Sequence, residues 1–120
     1  MELINVRLQK SKIILTDGSI NMELVSSISS AIVTPFLQVV CQLVSNPFES
    51  LCHIHNVLYA LYNNGNTKNC YSFLILQYDL LGGAVPEIFE LAHSHEEFGN
   101  HLMYEIVSDM EELIPQILDE

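Results

Sequence analysis

No formally charged side chain stands between Glu23 and Glu49, and a second uncharged stretch runs from Glu49 to Lys68. A long run without ionic groups has two stable destinations: the interior of a fold or subunit interface, or a bilayer. Residues 24 to 44, LVSSISSAIVTPFLQVVCQLV, have spanning length, and Arg7, Lys10 and Lys12 lie on their N-terminal side. Gln38, Gln42, four serines and the Thr34-Pro35 pair interrupt the run and leave only short apolar segments. The expectation is therefore buried helices or a subunit interface, with a membrane-associated subunit through residues 24–44 as an alternative. The run starts too late and lacks the compact layout of a secretory signal, which points to a cytoplasmic or nuclear protein that is not secreted.

The ends of the chain carry the charge. In 120 residues there are 15 Asp and Glu against 4 Lys and Arg, a formal charge of -11 at pH 7. Residues 79 to 120 contain no Lys or Arg at all. Such a field repels phosphate backbones and anionic bilayers, which argues against direct nucleic-acid binding. It suits a solvated acidic face, or one that meets a basic partner, including the DNA-binding surface of another protein by charge mimicry. The length allows one core, so residues 1–120 are expected to form a single domain. Cys41, Cys52 and Cys70 are odd in number and lack a paired spacing, which indicates reduced, packed thiols.

The pattern along the chain predicts a mainly α protein, a compact bundle of about five helices over residues 20–120 behind a short β-hairpin at 1–18. Leu3, Ile4, Val6, Leu8, Ile13, Ile14 and Leu15 supply strand formers for two short strands around a turn near Lys10-Ser11, closed by TDGS. From Ile20 the apolar spacing becomes helical. A first helix should stop before Thr34-Pro35, because the residue ahead of proline disfavours the α region, and Thr34 should cap a second with Pro35 at N1. Asn46, Pro47 and Glu49 form a capping signature for a helix over about 47–62, ended by NNGN. Residues 69–81 suit a helix, with a strand in an α+β fold as the alternative. A short helix follows over 86–93. In the last helix Met103, Ile106, Met110, Leu113 and Ile117 recur at steps of three and four, with Pro115 expected to kink or end it.

Two clusters have the residue types of a metal or catalytic site. In HSHEEFGNH, His93, Glu97 and His101 are four apart and would share a face on a continuous helix, with His95 nearby. However, Ser94 followed by Glu97 is a capping box, and Glu96 and Glu97 in a first turn are what the helix dipole favours. The stretch therefore suggests a helix start rather than a metal site. In CHIH, Cys52 and His55 are three apart and could face together, whereas His53 and His55 point roughly 200° apart. Phosphate-loop, dinucleotide and nucleophile-elbow patterns are absent from the sequence.

These readings converge on a non-enzymatic acidic protein-binding module without a cofactor, an adaptor or stoichiometric inhibitor of a partner with a basic surface. Glu96, Glu105, Asp109 and Glu112 are the expected contact acids, and the 103-106-110-113-117 stripe is the expected homodimer surface. The competing reading is a small metal-binding protein or metal-dependent enzyme using the 93–101 cluster.

Overall fold

In the computed structural model the structure describes residues 12–118, and it is a mainly α bundle of five helices. They are α1 (Met22–Leu43), α2 (Pro47–Asn63), α3 (Thr67–Leu81), α4 (Ile88–Ser94) and α5 (Glu96–Leu118). α5 is the hub: it packs most extensively on α1, then on α2 and α4, and more lightly on α3.

α1 departs from the sequence expectation. Asn21 caps it, accepting from the Leu24 N–H at 3.3 Å, and the helix then runs unbroken through Thr34 and Pro35. An interior proline removes a hydrogen bond and costs about 3 kcal/mol. Here the buried series Val25, Ile28, Ile32, Phe36, Leu37 and Val40 continues across the proline at helical spacing. Burying a large aliphatic or aromatic side chain contributes about 1.5–3 kcal/mol, so the residues on both sides of the proline together outweigh its cost. Thr34 and Pro35 face outward, which keeps the ring out of the packed face.

The expected hairpin lies largely outside the described residues. Of its described part, Lys12 and Ile13 are helical, and Ile14 makes a single antiparallel bridge to Ile20. No strand exists among the described residues; the TDGS turn joins Ile14 and Ile20, which pair only once. Leu15 donates its N–H to the Ser19 carbonyl at 2.9 Å, and Asn21 donates to Ile13 at 2.8 Å, where the turn meets α1. Gly18 takes φ +87°, and Asp17 accepts from both the N–H and the hydroxyl of Ser19, which lowers its carboxyl pKa.

The other boundaries follow local chemistry. Asn46 caps α2 by accepting from the Glu49 N–H at 3.2 Å, and its amide donates to the Glu49 carboxylate at 3.2 Å. α3 settles residues 69–81 as helix: Cys70, Tyr71 and Leu74 are buried at helical spacing, and Gly82 at φ +74° supplies the left-handed C-cap. Pro115 lies within α5, which continues to Leu118.

Candidate functional site

The inner side of α5 is core. Phe98, Leu102, Met103, Ile106 and Met110 are at most 1% exposed, within a single chain. Leu113 and Ile117 are half-buried against the same core. Of the stripe expected to pair two copies, Met103, Ile106 and Met110 are thus taken up by intramolecular packing, while Leu113 and Ile117 stay partly exposed.

The expected acidic face also divides. At about 100° per residue, Glu105, Asp109 and Glu112 share one side of α5, while Glu96, two and a half turns before Glu105, projects from roughly the opposite side. Glu96 is exposed and borders a polar depression with Asn63, Lys68 and Asn100. Asp109 is half-buried, and its Oδ2 accepts from the hydroxyl of Ser29, the fully buried serine of α1, at 2.7 Å. That bond gives Asp109 a structural role. Glu105 is half-buried and Glu112 exposed.

The histidine-rich segment at the α4–α5 junction serves as architecture. The two helices are separated by His95 alone, and its Nδ1 accepts from the Phe98 N–H at 3.2 Å, capping α5. The expected Ser94–Glu97 capping box is not made. Ser94 still belongs to α4, so its hydroxyl bonds back to the Leu91 carbonyl at 3.2 Å. Gly99 is buried where α5 crosses α4: a Cβ there would stand 2.3 Å from the Ala92 carbonyl oxygen. The Tyr71 hydroxyl, fully buried, donates to the Gly99 carbonyl at 2.7 Å. His93 is exposed and meets Tyr71 edge-on at 6.3 Å, and Glu97 and His101 approach only to 3.9 Å. No three His, Cys, Asp or Glu among the described residues converge as metal ligands, and Cys41, Cys52 and Cys70 are free thiols.

The CHIH cluster sits in a different environment. Cys52 and His55 line an open groove of about 690 Å³ between α2 and the C-terminal half of α5, with Phe48, Glu111, Ile114 and Pro115. His55 Nε2 is buried with no hydrogen-bond partner, and its ring stacks toward Tyr59 at 6.0 Å. Along α2, Phe48, Cys52, His55, Tyr59 and Tyr62 fall at steps of four and three, so they share one edge. Tyr62 tilts against Tyr104 of α5 at 6.2 Å, which extends this aromatic edge across the helix pair. Phe48, Tyr59 and Tyr104 are 62%, 50% and 53% exposed. The sequence reading singled out Cys52 and His55 for their chemistry and missed the stripe that contains them. The spacing was legible, but which edge of α2 would remain uncovered was not.

α1 has the length and mean hydropathy, 1.8 over an 18-residue window, of a spanning helix, and 44% of that window is buried inside the fold. Comparison with family models, with curated proteins and with solved structures finds no match.

Proposed function

We propose that this chain is a non-enzymatic protein-binding module, an adaptor or stoichiometric inhibitor, whose partner carries a basic surface. The observation that carries the reading is the outer side of α5. Glu105 and Glu112 lie two turns apart on a helix whose other side is locked into the core, which makes them a fixed array rather than mobile charges. Among the described residues the sole ion-pair contact is His101 with Glu97, so these acids have no internal lysine or arginine there. Unneutralised charge on a rigid element speeds encounter with an oppositely charged surface, and adjacent exposed aromatics such as Tyr104 supply desolvated contact once the partners meet. Cytoplasmic or nuclear residence accords with three free thiols.

Capture from the native source with wild-type protein and with a Glu105→Lys/Glu112→Lys variant tests this. The expected result is a specific partner retained by the wild type and depleted with the variant, associating more slowly as salt rises. A partner whose association rate is indifferent both to salt and to the reversal overturns charge-steered binding.

A further inference from the structure

We infer that the α2/α5 groove is the docking site for a cationic amphipathic helix of the partner. This rests on the protein-binding reading above and assigns it a place and an occupant. The groove takes the Phe48–His55 part of the α2 edge, and the exposed edge continues past it through Tyr59 to Tyr62, about 21 Å in all at 1.5 Å per residue, which suits roughly four turns of a partner helix. Its side chains recur at the four-and-three spacing with which an apolar helical face meets a groove. Exposed aromatics flanked by carboxylates are the composition of an interface core with a charged rim.

Charge selects the occupant. Glu111 lines the groove, Glu49 is exposed next to Phe48 at its α2 end, and Glu97 is exposed on the Glu111 side of α5 toward the Tyr62 end of the edge. Among the described residues no Lys or Arg lines the groove, and the nearest cation along the α2 edge is Lys68, which shares a separate depression with Tyr62. A second copy of a chain with formal charge -11 would bring like charges together, and nucleic acid or an anionic bilayer would be repelled in the same way. A helix with Lys or Arg flanking an apolar stripe satisfies both the rim and the floor. The groove also contains an unsatisfied acceptor or donor, His55 Nε2, whose lack of a partner is a cost that docking can relieve through a polar side chain of the incoming helix. The smaller depression lined by Pro35, Phe36, Val39 and Tyr78 is apolar but has no charged residue along its lining, so nothing there specifies an occupant.

The test uses the 120-residue chain, labelled with nitrogen-15, and a synthetic 18-residue helix with leucines on one face and Lys and Arg on both flanks. One control peptide replaces the flanking cations with Glu; another keeps the composition but scatters the leucines around the helix. The expected result is saturable amide shifts confined to residues 48–62 and 104–115. Phe48→Ser and Tyr59→Ser should each weaken binding by about tenfold, as expected for anchor truncation. Both sites are exposed, and unchanged thermal melting of these variants would show that the fold persists. Both control peptides should bind at least about tenfold more weakly.

Shifts centred on Val39 and Tyr78, equal binding of the scattered peptide, or no saturation at millimolar peptide would each overturn the groove assignment. Self-association that protects residues 48–62 in sedimentation would make a second copy the occupant and overturn it as well. Shifts elsewhere that remain sensitive to Glu105→Lys/Glu112→Lys would leave the charge-steered module standing without this groove. Groove binding indifferent to salt and to Glu111→Lys would overturn the cationic partner and the charge-steered reading together.

Discussion

The α4–α5 junction and the α2/α5 groove both contain histidines beside acids, yet they are opposites in packing. At the junction His95 caps a helix, Gly99 touches a neighbouring carbonyl and the Tyr71 hydroxyl is bonded in the interior. In the groove, by contrast, Phe48 is 62% exposed and His55 Nε2 has no partner, and farther along the same helix pair Tyr59 and Tyr104 are half exposed. The sequence is denser in chemically active residues at the junction, where His95 caps α5 while His93, Glu96 and Glu97 stay exposed. The groove, which looked like ordinary helix interior, has the unspent surface. Density of polar residues along a chain is therefore a poor guide to function when helix ends and close crossings can account for them.

The sharpest way to break this contrast is Gly99→Ala. The added methyl meets backbone, not a movable side chain, so α4 and α5 must separate. Overpacking of this kind costs about 3 kcal/mol or more, and chemical denaturation should show it. A loss below about 1 kcal/mol would mean that the junction is not tightly packed.

Alkaline pH tests the same region without a mutation. Burial pushes the Cys70 thiol up from 9.0 to about 11 and holds the neighbouring Tyr71 hydroxyl well above its ordinary value, while Tyr78 rises to about 12. A raised folded-state pKa means that the native protein holds the proton more tightly than the unfolded chain. The associated stability is present below pH 9 and is lost as pH rises from there through 11 and 12. Denaturation midpoints measured from pH 8 to 11 should fall, with the first decline from Cys70. A flat profile would contradict burial of these groups.

Ser29→Ala separates structural from available acids on α5. It removes the donor to Asp109, a charge-assisted bond, and should destabilise by about 1.5 kcal/mol, whereas Glu112→Gln should stay within about 0.5 kcal/mol. Equal effects in urea titration would remove the distinction between Asp109 and its neighbour.

The smallest effects compare two histidines directly. His95→Ala deletes a helix cap and should cost about 1 kcal/mol. His55→Leu removes a buried nitrogen that has no partner, so stability should hold or rise by about 1 kcal/mol or less. Reversed outcomes in thermal melts would exchange the roles assigned to the two regions.

Local interactions made several boundaries legible from sequence alone. Asn46, Pro47 and Glu49 determined the start of α2 because capping involves only atoms within one turn, and the spacing of Met103, Ile106 and Met110 marked α5 and its apolar side. The mainly α class and the turn at TDGS were decided in the same way. Three features belonged to tertiary structure. α1 continues through Pro35 because packing on α5 stabilises both halves, an energy that no local rule contains. Ser94 lost its expected capping role because α4 runs up to the residue before His95. The orphaned nitrogen of His55 and the exposed edge of α2 arise from which helices come to lie beside one another. Local sequence sets where a helix starts and which side is apolar; only the assembled bundle decides how much of that side is covered, because burial is a property of neighbours that the chain brings together from far apart.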